Sequence, residues 1–237
     1  MYVLWRDPST ALETWVERLR SDLAPALLAA GAHGVQVNVA DEAVAPASAM
    51  RIVTTDPQME AVVGVWVDTV FVDRRRPLDD LVATASSRFA AYLVAESQPL
   101  HNTAHPASPG ERTAGYAQVA FLHRPAGMTA DEWLDAWQNG HTAVAIDTQS
   151  TFQYVQNEVI RPLTPDAPPW AGIVEECFPA EAMGDLHVFF DAVGDDDRLV
   201  ANMTAMGEST SRFLETDRLD VVPTSQYVVA TPFPAFR

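Results

Sequence analysis

The sequence predicts an α+β fold: two tandem ferredoxin-like (βαββαβ) modules, packed sheet to sheet as one pseudo-symmetric barrel within a single chain. The same order of strands and helices occurs on both sides of residues 97–115, a polar segment rich in proline and glycine. Identical residues also recur at a fixed spacing of 118 positions: Trp15 and Trp133, Arg6 and Arg124, Val37 and Val155. A βαββαβ unit leaves one face of its sheet uncovered, and a second copy can cover that face.

Composition excludes several classes of protein. The chain has 237 residues, of which 48% are hydrophobic and 20% charged, so it is neither disordered nor fibrous. Its formal charge is -17, and all 15 basic residues are arginine, so nucleic acid and anionic membranes are not expected partners. Cys177 is the single cysteine and cannot form an internal disulfide. Without an apolar run of membrane length or a secretion signal, we expect a soluble cytoplasmic protein.

The first half begins with a short apolar strand, Tyr2 to Trp5, followed by a capping box at Thr10 and Glu13. A helix follows, because apolar residues recur at helical spacing from Leu12 to Leu23. Residues 35–39 alternate apolar and polar side chains, which predicts a half-buried strand. The remaining pattern predicts a strand at 62–72, a helix at 78–89 and a last strand at 91–95.

The second half repeats that order. Residues 116–122 form a strand, and Thr129 and Glu132 form a capping box at the start of a helix that runs to about Ile146. Strands are expected at 152–159 and 172–178, separated by a proline-rich loop. Helical stretches between 180 and 214 and a final strand at 226–230 complete the copy. Residues 187–191 are compatible with helix or strand.

The second half resembles the EthD-like family of the dimeric α+β barrel superfamily. The resemblance covers Tyr116 to about Val229 and is carried by four segments: LHRPAGMTADEW (122–133), WQNGH (137–141), FQYVQN (152–157) and GIVEECF (172–178). The first half follows the same plan but has Leu23 where the 118-residue spacing would place the counterpart of His141. We therefore expect a degenerate, mainly structural module at 1–98, a linker at 99–114 and an EthD-like module at 115–237.

The resemblance implies a range of activities. Related proteins include accessory proteins and cofactor-free decarboxylases and dehydratases that act on aromatic polyketides. The wider superfamily also holds isomerases, monooxygenases and haem proteins, so the fold by itself does not define the function.

His141 is the candidate catalytic residue. Trp133, Trp137 and His141 are four residues apart and lie on one flank of a helix. An imidazole in an aromatic-walled space can give or take a proton near neutral pH without a cofactor. The alternative is a buried histidine bonded to backbone, with both tryptophans as ordinary core.

Four further residues are candidates for the substrate pocket. Phe121, Trp137 and Tyr154 would form its walls, and Tyr154 or Asn157 would orient a carbonyl or hydroxyl. Tyr154 and Asn157 are three positions apart, so they face opposite sides of a strand, and each is otherwise a satisfied buried polar group.

Glu175 and Glu176 interrupt an apolar strand, and one of them must point inward and needs a partner. That partner is His141 or Arg124, in a catalytic arrangement or in a buried ion pair.

No pattern indicates a metal or cofactor. His101 and His105 lie in the linker, and there is no paired-cysteine, phosphate-loop or dinucleotide motif. The leading hypothesis is a cofactor-independent lyase or isomerase of the decarboxylase or dehydratase type, acting on a small planar molecule, aromatic or polyketide-like. The alternatives are a non-catalytic small-molecule-binding or accessory protein of a catabolic pathway and, third, a haem or redox protein with His141 as axial ligand. The sequence permits a homodimer.

Overall fold

The computed structural model describes residues 1–232. Eight strands form one closed antiparallel barrel in the order β1-β3-β2-β8-β5-β7-β6-β4. The strands are β1 (Tyr2–Trp5), β2 (Gly34–Val39), β3 (Ala61–Trp66), β4 (Arg88–Leu100), β5 (Tyr116–Leu122), β6 (Gln153–Pro162), β7 (Gly172–Phe178) and β8 (Asp220–Ala230).

Helices pack on the outside of the barrel. In the first half they are α1 (Leu12–Glu17), a π-helical segment (Arg18–Leu23), α2 (Ala24–Ala29) and α3 (Val72–Ala85). In the second half they are α4 (Ala130–Leu134), a π-helical segment (Asp135–His141), α5 (Thr142–Thr148), α6 (Leu186–Phe189) and α7 (Asp196–Thr210). Short 3-10 helices span Glu42–Met50, Ala180–Met183 and Thr216–Arg218. Within residues 1–232, no helix combines the length and apolarity that a membrane span requires.

The prediction of two ferredoxin-like modules packed sheet to sheet is wrong. The strands of the two halves join edge to edge instead, through β2 with β8 and β4 with β6, and the sheet closes on itself. An edge strand exposes unpaired N–H and C=O groups, and closure into a barrel pairs them. The polar residues Gln36 and Asn38 of β2 therefore face the interior of the barrel. In two sheets packed face to face, the same positions would have to carry apolar side chains.

Several predicted elements differ in detail. The strand expected at 62–72 ends at Trp66, and α3 begins at Val72, six residues before its predicted start. Thr10 forms no cap, because the helix begins at Leu12 and Ala11 therefore occupies the N-cap position. The second predicted capping box is present, with Thr129 and Glu132 exchanging hydrogen bonds.

Residues 101–113, which we call the cover segment, lie across one end of the barrel. They follow β4, which extends to Leu100 and so includes the beginning of the expected linker. The Gly110 N–H donates to the Val228 carbonyl at 2.8 Å, and the Thr113 N–H donates to the Gln226 carbonyl at 2.9 Å. The cover segment is thereby attached to β8.

Apolar residues form a layer under each set of helices and close the other end of the barrel. Trp15, Leu19, Leu23 and Leu27 pack on the outer face of the first four strands. Trp133, Trp137 and Phe213 do so in the second half. Inside the barrel, Trp5, Tyr92, Phe121 and Trp170 belong to one apolar cluster away from the cover segment. Toward the cover segment these rings give way to smaller apolar side chains and to polar ones, and the interior is open there.

Candidate functional site

A cavity of about 360 Å³ lies inside the barrel beneath the cover segment. That volume falls within the range of small-molecule sites. Apolar side chains from five strands form much of its wall, and amide and carboxyl side chains form the rest. None of its described lining residues is an arginine or lysine. The lining includes Gln36, Asn38, Gly64, Trp66, Glu96, Thr113, Asn157, Glu175 and Gln226.

Glu175 is the central polar group of this cavity. Gln36 Nε2 donates to its Oε2 at 2.7 Å, and Asn38 Nδ2 donates to its Oε1 at 2.7 Å. Gln226 Nε2 donates to the same Oε1. The alternation of β2 brings Gln36 and Asn38 to the inner face together, and the pairing of β2 with β8 places Gln226 beside them. Three amides from two strands therefore hold one carboxyl.

The environment of Glu175 has opposing effects on its pKa. Burial raises the pKa, because a charged carboxylate is poorly solvated there, and the negative charge of Glu96 raises it further. The amide donors lower it, but by less than burial raises it. A carboxyl with a raised pKa is a stronger base when ionised and holds its proton to higher pH, so it suits proton transfer near neutrality.

Two contacts orient this network. Thr113 Oγ1, in the cover segment, donates to Gln226 Oε1 at 2.6 Å. Gln36 Nε2 also contacts Asn38 Oδ1 at 2.8 Å. The Gln226 amide is thereby fixed with its nitrogen toward Glu175.

A second, outer cavity of about 510 Å³ adjoins the first. It lies toward α3 and is lined mainly by apolar side chains, among them Val65, Leu78 and Leu163. The residues common to both cavities are Met1, Gly64, Trp66, Glu96 and Asn157. We call Glu96 and Asn157 the junction pair, since they are partners in the register of β4 and β6.

The two members of the junction pair differ in their hydrogen bonding. Glu96 accepts from Gln98 Nε2 and from the Trp66 side chain, and burial raises its pKa. Asn157 is 2% exposed, and its Oδ1 has no hydrogen-bond partner among residues 1–232. A buried acceptor without a donor is uncommon in folded proteins.

His141 is the last residue of the second π-helical segment, outside the barrel wall, and its side chain contacts α7. Its Nδ1 is 3.0 Å from Ser209 Oγ, and its ring centroid is 5.0 Å from that of Phe213. Burial lowers the pKa of His141 to about 4, so the imidazole is neutral at pH 7. It is not among the residues that line either cavity.

The other predicted wall residues are also separated from the barrel cavity. Trp137 packs against Trp133, with ring centroids 4.9 Å apart, and Tyr154 lies in the same apolar layer under the helices. Phe121 is inside the barrel but packs on Trp170 at 4.5 Å, at the apolar end. Of the predicted site residues, only Asn157 and Glu175 are brought together in the cavity.

The structure also distinguishes the two glutamates. Glu175 faces the cavity and pairs with amides, not with His141 or Arg124. Arg124 is exposed and donates to the Met128 carbonyl. Glu176 faces the helix layer, where burial raises its pKa to about 8. The inward glutamate is therefore Glu175.

Sequence reasoning missed Gln36, Asn38, Glu96 and Gln226. The sequence did contain a signal for Gln36 and Asn38, which are the polar positions of an alternating strand. Such positions need hydrogen-bond partners when neither face of the strand meets solvent. Among residues 1–232, no group of three or more His, Cys, Asp or Glu side chains is placed to hold a metal ion.

Comparison with known protein families gives a match for the part of the chain that contains Glu175. Residues 125–201 match the family model of the EthD domain. The matched residues include His141, Asn157 and Glu175, whereas Gln36, Asn38 and Gln226 lie outside them. The match covers about a third of the chain.

The whole fold has a counterpart among solved structures. A crystal structure of an anthrone oxidase-like protein superposes with a TM-score of 0.55 at 11% sequence identity, covering 100% of this chain and 94% of that chain. At this identity the similarity concerns the fold. A search of curated proteins returned no match.

Proposed function

We propose that the barrel cavity binds a small, planar, uncharged molecule and that the protein is a cofactor-independent lyase or isomerase acting on it. The observation that carries this proposal is Glu175, a buried carboxyl held by three amides in a cavity of ligand size. The two carboxyls of the cavity disfavour an anionic substrate, and no arginine or lysine among its described lining residues offsets their charge.

Glu175 would act as the general base. Its carboxylate takes a proton from a carbon that is next to a carbonyl or conjugated with it through an aromatic ring, and the electron pair of the broken C–H bond moves into the carbonyl to form an enolate. Return of the proton to another carbon completes an isomerisation. Expulsion of a leaving group from the enolate gives the lyase reaction. The three amides keep the carboxyl oriented in both protonation states.

Anthrone is a suitable probe for this chemistry. The relative in the structural comparison is described as anthrone oxidase-like, and anthrone is a planar, neutral, aromatic ketone with an acidic ring CH₂. Exchange of that CH₂ with D₂O reports proton abstraction alone and needs no knowledge of the natural product. The rate above buffer can be followed by NMR.

The Glu175→Gln variant tests the assignment. Gln has nearly the same shape but no basic oxygen at neutral pH, so enzyme-dependent exchange should fall about 10²- to 10⁴-fold while anthrone binding changes only a few-fold. Exchange that is as fast in Glu175→Gln as in the unchanged protein would refute the role of Glu175.

His141 as general acid/base stays a prediction, and the same assay tests it. Because His141 lines neither cavity, a proton moving between it and a ligand would have to cross the barrel wall. We therefore expect His141→Gln to retain exchange. Loss of exchange in His141→Gln with an unchanged melting temperature would reinstate His141.

Non-catalytic binding is the second candidate function. The observation in its favour is that the three amides already engage both oxygens of Glu175, as they would in a purely structural network. Anthrone binding with no exchange above buffer, in the unchanged protein and in Glu175→Gln alike, would support this alternative.

A further inference from the structure

Gly64 is a glycine that neither its backbone nor its packing requires. It lies in β3 within the apolar run AVVGVW, and a glycine inside a strand weakens that strand. Its φ angle lies outside the left-handed region that favours glycine. A Cβ added to it would have its nearest neighbour, a ring atom of Trp66, at 3.6 Å, which is ordinary van der Waals contact. A glycine of this kind often marks a place where a ligand approaches the strand closely.

The space beside Gly64 is where the barrel cavity meets the outer cavity. Gly64 and the junction pair line both cavities. β1 lies between β3 and β4, but it pairs with β3 only as far as Val63 and with β4 only as far as Ala91. Within residues 1–232, β1 supplies no pairing partner for Gly64–Trp66 of β3 or for Leu93–Glu96 of β4. The barrel wall therefore has a passage here, from its interior toward α3.

The outer cavity has the chemistry of a site for an apolar group. Its wall is mainly apolar, as described above. Arg75 also lines it, but its Nε contacts Asp79 Oδ2 at 2.9 Å. The other two guanidinium nitrogens donate to the carbonyls of Val70 and Leu163, each at 3.3 Å. The charge of Arg75 is thus used within the protein, and the cavity does not need an anionic ligand to compensate it.

We propose that Gly64 keeps this passage open for a ligand of two parts, with a planar carbonyl-bearing head in the barrel cavity and an unbranched aliphatic tail in the outer cavity. The inference rests on the proposed function, because the head is the part on which Glu175 acts. A passage made by one missing side chain admits a chain without branches. Each methylene that leaves water for the apolar wall adds affinity. Gly64 is therefore a residue that determines specificity for the length of the ligand.

The first experiment uses three phenyl ketones that differ only in chain length. Acetophenone, butyrophenone and hexanophenone share one planar head and carry alkyl chains of one, three and five carbons. We expect each added methylene to raise the affinity about two- to fourfold, so hexanophenone should bind the unchanged protein at least about tenfold more tightly than acetophenone. Isothermal titration calorimetry measures the three affinities.

The test variant is Gly64→Leu, whose side chain would fill the passage. It should reduce the preference for hexanophenone over acetophenone to less than about threefold, while the affinity for acetophenone stays within about threefold. Gly64→Ala is a milder variant, because its Cβ fits without a clash, and it should reduce the preference by a smaller factor. Gly127→Leu is the matched control, since Gly127 is exposed, lines neither cavity and has no atom within 4 Å of an added Cβ.

The ketone series can overturn the inference without any variant. Equal binding of the three ketones by the unchanged protein would do so, and so would the absence of hexanophenone binding up to its solubility limit. A preference for hexanophenone that survives in Gly64→Leu would show that the tail binds elsewhere. If Gly64→Leu does not fold, an undiminished preference in Gly64→Ala would have the same meaning.

Anthrone exchange separates failure of this inference from failure of the proposed function. Exchange that depends on Glu175, in a protein that binds the three ketones equally, would refute the two-part ligand alone. The absence of exchange, in a protein whose preference for hexanophenone is lost in Gly64→Leu, would refute the proposed chemistry alone.

Discussion

Asn38 Nδ2 donates a hydrogen bond of 2.7 Å to Glu175 Oε1, across 137 positions of the sequence. Asn38 lies on β2 in the first half of the chain, and Glu175 lies on β7 in the second half, within the residues that match the EthD domain model. The two halves therefore build one polar site inside one barrel. The first half contributes two of the three amides that hold the carboxyl. It was expected to be mainly structural, and this contribution gives it a part in the site as well.

Replacing Asn38 should destabilise the protein in a pH-dependent way. Asn38→Leu removes one donor from the Glu175 carboxylate, which should raise the pKa of Glu175 further and cost on the order of 1 to 3 kcal/mol once the group is ionised. A raised folded-state pKa gives stability that is lost as pH rises, so the cost should be larger at pH 8 than at pH 5. Urea unfolding at both pH values measures this, with Asn139→Leu as control; an equal cost at both pH values would contradict it.

His141 should make the protein less stable in acid. Its folded-state pKa of about 4 lies below the usual value of 6.5, so the unfolded chain binds the proton first and stability falls as pH drops from 6.5 toward 4. At pH 5 the loss approaches about 2 kcal/mol for this residue. In His141→Gln the acid-dependent loss should be smaller by that amount. Urea unfolding between pH 7 and pH 4.5 checks it, and parallel curves for the two proteins would show that His141 titrates normally.

Glu176 should make the protein less stable at alkaline pH. Its pKa of about 8 lies above the usual 4.5, so the stability associated with the protonated carboxyl is lost as pH rises through 8. Because the side chain is only partly buried, we expect a loss on the order of 1 to 3 kcal/mol between pH 5.5 and 8.5. Glu176→Gln should flatten that slope, whereas Glu13→Gln, at an exposed position, should leave it unchanged. If the stability of both variants depends on pH in the same way as that of the unchanged protein, the prediction is wrong.

The sequence allowed the individual strands and the main helices to be predicted, because hydrophobic periodicity is local. The apolar alternation of β2 and the helical stripe from Leu12 to Leu23 both have their expected faces buried. Closure of the barrel was not predictable in the same way. It depends on pairs such as Val37 with Tyr227, which are far apart in the chain and leave no local signature.

The candidate site was predicted only in part for the same reason. An inward glutamate on β7 follows from alternation, but its partners come from β2 and β8 through barrel closure. The helical spacing of Trp133, Trp137 and His141 correctly places them on one flank. It does not reveal that this flank packs outside the barrel wall, against Phe213 and Ser209.

Gly172 allows Trp137 to approach β7 closely. A Cβ at this position would lie 2.8 Å from two ring atoms of Trp137, so Gly172→Ala should force the ring to shift and cost about 1 to 3 kcal/mol. Gly207→Ala is the matched control: no atom lies within 4 Å of its added Cβ, and alanine in α7 should stabilise the helix by about 0.5 to 1 kcal/mol. Denaturation followed by tryptophan fluorescence gives both values. A neutral Gly172→Ala would mean that the Trp137 ring has room to move.

The cover segment should be the preferred site of limited proteolysis. Residues 106–109 are exposed and contain two prolines, whereas Thr113 is buried and hydrogen-bonded to β8. A non-specific protease should therefore cut between 103 and 109, before the attachments at Gly110 and Thr113. The two fragments should stay together in native buffer, because the β2–β8 and β4–β6 ladders join them through backbone hydrogen bonds. Gel electrophoresis after size-exclusion chromatography measures this, and fragments that elute separately would contradict the closed barrel.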